Sequence, residues 1–227
     1  TIFLQVTAGM KFDRRPEINE AWERANKKAA RGEAPPVPHG DMVGGGSYLT
    51  KEEVRDLVEY ARKYGFEVIP EVQSLSHVQY LTITYPEIAE KAEGEEKREY
   101  YYDCYCPLHP ESRKIVFDMI DEVVEVFKPL RYVHMGHDEA YTMAVCERCK
   151  GKSRAELYAK DVNEIYQYLK SKGLGMMIWA DMLQPFRWYS AAEAIDAIPK
   201  DIIMLDFVWY FRLDEDIEDH LLQHGFK

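Results

Sequence analysis

The chain has 227 residues, of which 46% are hydrophobic and 13% aromatic. This composition excludes an intrinsically disordered protein and is sufficient for one substantial core. The net charge of −11, from 40 acidic against 29 basic residues, disfavours a nucleic-acid or anionic-membrane partner, because phosphate groups bind to basic surfaces. No run approaches the roughly 18 apolar residues of a membrane span. We therefore expect neither nucleic acid nor a membrane as a partner.

Short apolar segments alternate with helical segments along the chain. Each strand candidate is rich in Val, Ile, Met or aromatic residues, and each helix candidate begins at a capping box or an early proline. This alternation predicts an α/β protein with a parallel sheet. The predicted strands are 2–6, 66–72, 131–137, 176–181 and 202–209, and the predicted helices are 16–30, 50–65, 110–127 and 153–173.

The residues alone leave two sheet architectures open. A (β/α) barrel has eight strands in about 250 residues, whereas five are visible here. A doubly wound open sheet fits the length, but no Gly-x-Gly-x-x-Gly follows any predicted strand. The long connection 7–49 either shapes a substrate cleft or is a solvated excursion.

Polar and aromatic side chains are concentrated at the carboxyl ends of these strands. The acid pair Asp138-Glu139 directly follows the strand 131–137. The carboxyl ends of parallel strands form one edge of a sheet, so all these groups are expected to converge. Carboxylates flanked by aromatic rings are typical of a sugar site, although a solvated turn with two exposed acids remains the alternative. The other strand-end residues are His77, Trp179, Asp181, Trp209 and Tyr210.

The segment 134–139, His-Met-Gly-His-Asp-Glu, resembles the His-x-Gly-Gly-Asp-Glu signature of glycoside hydrolase family 20, the β-N-acetylhexosaminidases. Three further segments resemble that family in the right order. Residues 48–77 are similar to the helix, strand and Pro-Gly-His turn, which here reads Leu-Ser-His, and 178–182 and 207–209 are similar to two tryptophan-bearing strands. The replaced second glycine is typical of the hexosaminidase D-like branch.

The resemblance implies one partial (β/α)8-type catalytic barrel over 1–227, with a carbohydrate substrate and no cofactor for catalysis. It implies retaining hydrolysis of terminal β-linked N-acetylhexosamine, with the substrate's own acetamido group as nucleophile. Glu139 would be the general acid and later the base, and Asp138 would orient the acetamido group. We expect an ionised Asp138 to raise the pKa of Glu139. The other implied residues are His77, which tunes Glu139, and the substrate-binding residues Trp179, Trp209, Asp181 and Tyr210.

The chain also departs from the family pattern. Gln73 stands where the family carries an acid, and the family's first, seventh and eighth strands would lie outside 1–227. We therefore expect a fragment of a longer protein, with little hexosaminidase activity on its own. One alternative is a sugar-binding barrel that has lost catalysis. Another, a metal hydrolase using His134, His137 and the acid pair, is disfavoured because strand alternation puts the two histidines on opposite faces.

The four cysteines form two pairs, Cys104-x-Cys106 and Cys146-x-x-Cys149. Both pairs follow consecutive predicted strands on the same side of the sheet, so they could meet in a structural four-cysteine zinc site. Free thiols or disulfides between the pairs are the alternatives. Reduced or zinc-bound cysteines would favour a cytoplasmic protein.

Overall fold

A computed structural model describes residues 1–37, 46–92, 94, 102–206 and 217–227. Strands and helices alternate as predicted, with boundaries shifted by a few residues. The strands are β1 Ile2–Gln5, β2 Val68–Ser74, β3 Tyr132–Gly136, β4 Gly175–Trp179 and β5 Ile203–Leu205. The helices are α1 Pro16–Ala30, α2 Lys51–Lys63, α3 Gln79–Thr82, α4 Pro110–Phe127, α5 Arg154–Ser171 and α6 Ile217–Gln223.

The starts of three long helices follow from local side-chain chemistry. The Thr50 and Ser153 side chains accept hydrogen bonds from backbone N–H groups of the first turns of α2 and α5, and glutamates three residues later complete both capping boxes. His109 caps α4, which has proline in its first turn. These contacts satisfy N–H groups that a helix leaves without partners, so the predicted helix starts are confirmed.

The order of the strands distinguishes the two architectures. All four neighbouring pairs are parallel, and the order across the sheet, β1-β2-β3-β4-β5, is the order along the chain. A doubly wound sheet changes direction at a switch point, whereas a (β/α) barrel adds each strand beside the last. The sheet is therefore five consecutive strands of a barrel, with all carboxyl ends on one edge.

The long connection between β1 and β2 packs against the barrel. The Asn19 side chain, buried on α1, accepts a hydrogen bond from the Phe12 N–H and donates to the carbonyls of Ala8 and Met10. The Trp22 ring meets the buried Tyr80 ring edge-on. The described part of 7–49 is thus not a solvated excursion. In the described part of the chain, no helix is long and apolar enough to cross a membrane.

Candidate active site

The acid pair lies at the carboxyl end of β3, in a backbone held by neighbouring loops. Glu139 has a φ of 50°, in the left-handed region that side chains rarely adopt. Its N–H donates to Asp181 Oδ2 at 2.9 Å, and the Ser76 hydroxyl donates to the Asp138 carbonyl. Such strain persists only where surrounding contacts fix it, and it is concentrated at functional sites.

Gly136 allows the two strands next to the site to approach closely. Its φ is +69°, and a Cβ at this position would lie 1.6 Å from Gln73 Oε1. The Gln73 amide can therefore reach across and donate from Nε2 to Asp138 Oδ1 at 3.2 Å. Gln73, which departs from the family pattern, orients one carboxylate of the pair.

His77 joins the two carboxylates. Its Nε2 lies 3.3 Å from Asp138 Oδ2 and 3.4 Å from Glu139 Oε2. The loop that carries it is tied down by backbone hydrogen bonds from Val78 to Asp103 and from Tyr105 to Leu75. The structure thus brings together the three residues predicted to act in catalysis. Their ligand atoms are also close enough to one another to hold a metal ion.

The electrostatics of this group correct one expectation. Burial works to lower the pKa of His77, but the two carboxylates outweigh it and raise the value to about 10. The contact with His77 in turn lowers the pKa of Glu139, and it also lowers that of Asp138 although burial opposes it. The negative charge of Asp138 does work to raise the pKa of Glu139, as predicted, but His77 dominates. The prediction of a raised pKa for Glu139 is therefore wrong in direction.

Asp181 supports the pair from the next strand. It is fully buried, and its carboxylate accepts the Glu139 N–H. Burial first, and the nearby charge of Asp138 second, raise the pKa of Asp181 to about 7. A carboxyl group that exchanges its proton near neutral pH thus lies beneath the backbone of the predicted general acid.

The two histidines of the signature lie on opposite sides of β3. The His134 ring packs edge-on against Trp179 and Phe3 inside the barrel. His137 Nε2 lies 2.9 Å from Asp161 Oδ2 on α5. Among the described residues, neither histidine belongs to a group that could hold a metal ion together with the acid pair. The geometry thus gives no support to the metal-hydrolase alternative.

Comparison with known proteins identifies the family. The profile of the glycosyl hydrolase family 20 catalytic domain matches residues 9–217. The chain belongs to this family. Lacto-N-biosidase of Bifidobacterium bifidum is 31% identical over 147 residues, which are 60% of this chain and 13% of that protein. The beta-hexosaminidase of Porphyromonas gingivalis is 28% identical over 158 residues, which are 64% of this chain and 20% of that protein.

Solved structures agree with the family assignment at the level of the fold. The superposition with a β-N-acetylhexosaminidase from Bacteroides fragilis covers 100% of this family 20 chain and 43% of the Bacteroides chain. Its TM-score is 0.72, and the two sequences are 18% identical. The predicted partial barrel is thus confirmed. The chain spans less than half of each of these relatives. Bovine hexosaminidase D is 24% identical over 140 residues, and membership of its branch stays a prediction.

The roles of the four predicted sugar-binding residues of this family 20 chain stay predictions. Trp179 is half-buried beside His134, and Asp181 contacts the acid pair. Trp209 and Tyr210 lie outside the described residues, so their roles stay predictions. The contacts of Trp179 and Asp181 do not test whether these two residues bind sugar.

An aromatic group that the sequence analysis missed lies beside the site. The rings of Tyr141 and Trp188 stack with centroids 5.5 Å apart at an interplanar angle of 10°, and Tyr189 meets both edge-on. Tyr141 follows Glu139 by two residues and helps to lower its pKa. Trp188 is 79% exposed. Its position in a loop beyond β4, not at a strand end, is why the strand-end rule did not find it.

The predicted four-cysteine site is not what the structure contains. Cys106, Cys146 and Cys149 converge as predicted, but the fourth member of the group is Glu90. Cys104 lies outside it, buried beside Thr142. The cause is an antiparallel bridge between Ala89 and Tyr105, which brings Glu90 next to the cysteine loops. All four cysteines are free, so the disulfide alternative is not formed.

Proposed function

We propose that this chain is the catalytic part of a retaining, exo-acting β-N-acetylhexosaminidase that releases terminal β-linked GlcNAc or GalNAc. The observation that carries the proposal is the His77 Nε2 placed between the carboxylates of Asp138 and Glu139. Two adjacent acids with different environments, joined by one titratable ring, supply both a proton donor and a fixed negative charge. The relatives named hexosaminidase support the choice of sugar.

The proton for the leaving group is stored in the His77–Glu139 pair. In the unliganded site the proton is on His77, because both carboxylates favour its charged form. The Glu139 side chain is 23% exposed, so a bound sugar would remove water from it. Desolvation favours the neutral pair over the ion pair, which moves the proton from Nε2 to Glu139. Glu139 then protonates the glycosidic oxygen, and its carboxylate later activates water.

Asp138 supplies the fixed charge. It is 9% exposed, and the Gln73 amide and His77 both favour its ionised form. The acetamido oxygen of the substrate attacks the anomeric carbon as the bond to the leaving group breaks, and positive charge develops on the resulting oxazolinium ring. An ionised Asp138 stabilises that charge and orients the acetamido N–H. Asp181 holds the backbone of Glu139 and acts through it as a positioning residue.

The test is hydrolysis of 4-nitrophenyl N-acetyl-β-glucosaminide and its galactosamine isomer by the intact protein that carries this chain. We expect release of the β-anomer and no release from the β-glucoside, which lacks the acetamido nucleophile. Glu139→Gln should lower kcat by roughly 10²- to 10⁴-fold, the usual size of a general-acid contribution. Glu125→Gln, the same change at an exposed position of α4, is the matched control.

Each other result has a definite meaning. Equal hydrolysis by wild type and Glu139→Gln would remove Glu139 as the acid. Binding of GlcNAc without hydrolysis would favour the sugar-binding barrel that has lost catalysis. The 227-residue chain assayed alone should show little activity, and robust turnover by it would contradict that expectation.

A further inference from the structure

Three sulfur atoms and one carboxylate meet at the base of two loops. Cys106 Sγ lies 3.6 Å from Cys149 Sγ and 3.5 Å from Cys146 Sγ, and Cys149 Sγ lies 2.7 Å from Glu90 Oε1. All four ligand atoms are within 4.8 Å of one another, and all four residues are buried. The separations are too long for disulfides, which need about 2.05 Å between sulfur atoms.

Glu90 is the unusual member. It is fully buried, and a positive charge that acts on it is that of Arg154, whose guanidinium donates its hydrogen bonds to backbone carbonyls. Its Oε2 accepts the N–H groups of Val145 and Cys146 at 3.1 and 2.8 Å, which leaves Oε1 directed at the sulfur atoms. A buried carboxylate that is not hydrogen-bonded to a cation is costly. In metal sites, a ligating carboxylate is typically oriented by hydrogen bonds from groups that do not touch the metal. The two backbone N–H groups are placed to do this for Glu90, whose other oxygen faces the thiols.

We propose that Glu90, Cys106, Cys146 and Cys149 bind one zinc ion. Thiolates at about 2.3 Å from a tetrahedral zinc lie about 3.8 Å apart, close to the observed separations. Sulfur ligands with one carboxylate favour zinc over the hard cations magnesium and calcium. Binding releases the thiol protons to solvent and changes no oxidation state. Cys146 also borders a surface pocket of about 490 Å³, which gives the ion a route to the ligands.

The ion would connect the two loops that carry the catalytic group. Glu90 and Cys106 follow β2 and its His77 turn, whereas Cys146 and Cys149 follow β3 and Glu139. The turn formed by Cys146 and Cys149 is closed by the Cys149 N–H donating to the Cys146 carbonyl at 2.9 Å. All four ligand positions are filled by protein, as in structural zinc sites. The zinc therefore fixes the distance between the loops and does not take part in the reaction.

The first test is metal analysis, by mass spectrometry, of the intact protein that carries this chain. We expect about one zinc per chain, lost in Cys106→Ser and Cys149→Ser. Cys104→Ser is the matched control, since Cys104 is equally buried and only two residues away but outside the group. Removal of the metal by a chelator should lower the Tm by about 5 °C or more, and added zinc should restore it.

The second test needs no variant and so does not depend on the folding of one. X-ray absorption of the intact zinc-loaded protein should give three sulfur ligands at about 2.3 Å and one oxygen at about 2.0–2.2 Å. Four sulfur ligands would instead restore the all-cysteine site and overturn the role of Glu90. Failure of the intact wild-type protein to bind added zinc, or equal zinc loss in Cys104→Ser and Cys106→Ser, would overturn the proposal.

Discussion

Two histidines next to the catalytic edge have carboxylate partners, but the two groups are balanced differently. At His137 the carboxylate of Asp161 receives three donors: the ring at 2.9 Å, the Arg113 guanidinium at 2.7 Å and the Tyr105 hydroxyl at 2.9 Å. Asp161 and His137 are fully buried. At His77 one ring nitrogen serves two carboxylates. Cations and donors are in excess in the first group, and carboxylates in the second.

The difference separates a structural from a reactive arrangement. Burial works to raise the pKa of Asp161, but Arg113 and His137 outweigh it, so the carboxylate stays ionised. Glu164, which is 41% exposed, shares Arg113 at 2.8 Å, whereas Asp161 is the described carboxylate that pairs with His137. Around His77 a single proton has three possible positions, on the ring, on Asp138 or on Glu139. A site of that kind responds to substrate and pH, whereas the Asp161 group only stabilises the fold.

The same substitution at the two histidines tests this contrast most strongly. His77→Gln keeps a hydrogen-bond donor but removes the titratable proton, so kcat/KM should fall by roughly 10²- to 10⁴-fold. His137→Gln should lower the free energy of unfolding by about 1–3 kcal/mol, because a flexible amide replaces a fully buried ring that packs on Tyr158 and contacts Asp161. Its activity per folded molecule should change little. Urea unfolding and steady-state kinetics at 25 °C measure both.

The two variants should also differ in their response to pH. The pKa of His77 is raised in the folded protein, so the stability it provides is complete below its ordinary pKa of 6.5 and is lost as pH rises toward 10. That alkaline loss should disappear in His77→Gln. Equal loss of turnover in both variants, at a temperature where both are folded, would show that the proposed division between the two groups is wrong.

Asp181 gives a second, smaller test at the reactive edge. Its pKa of about 7 lies above the ordinary 3.8, so the fold favours the protonated form. The stability that this group provides is therefore highest below pH 4 and falls as pH rises from 4 to 7. The fall is about 4 kcal/mol in total, and the part of it between pH 4.5 and pH 8 is about 3 kcal/mol. Asp181→Asn keeps an oxygen acceptor for the Glu139 N–H and should gain that amount over wild type between pH 4.5 and pH 8.

Unfolding in urea at the two pH values measures this gain. Asp219→Asn, the same change at an exposed position of α6, serves as the control. A pH-independent difference between Asp181→Asn and wild type would mean that Asp181 does not titrate in this range.

Local patterns predicted the elements of the fold better than the chemistry of the site. Capping at Thr50 and Ser153 depends on residues a few positions apart, and so does the acid pair after β3. Glu90 reaches the cysteines only through pairing of distant segments, which no spacing reveals. Whether the pKa of Glu139 is raised or lowered depends on whether Asp138 or His77 has the larger effect. That can be decided only from the distances between these side chains.

Aromatic neighbours extend the contrast between the two histidine groups. The Tyr158 ring lies edge-on to His137, 6.0 Å between centroids, and is fully buried. Trp188, stacked on Tyr141 near Glu139, is 79% exposed. A large exposed ring held by a second ring is typical of a binding surface, because the face of an aromatic ring packs well on the C–H groups of a sugar. We expect Trp188 to contact the sugar beyond the cleaved bond.

Trp188→Ala should therefore affect substrate binding alone. The KM for a disaccharide should rise about 5-fold, equivalent to about 1 kcal/mol, while kcat stays within about 2-fold. The free energy of unfolding should stay within about 0.5 kcal/mol of wild type, as for other exposed positions. Phe186→Ala, which removes a half-exposed ring two residues away, is the control, and Trp188→Phe should restore most of the binding. An unchanged KM in Trp188→Ala would mean that the stacked rings of Trp188 and Tyr141 do not contact the substrate.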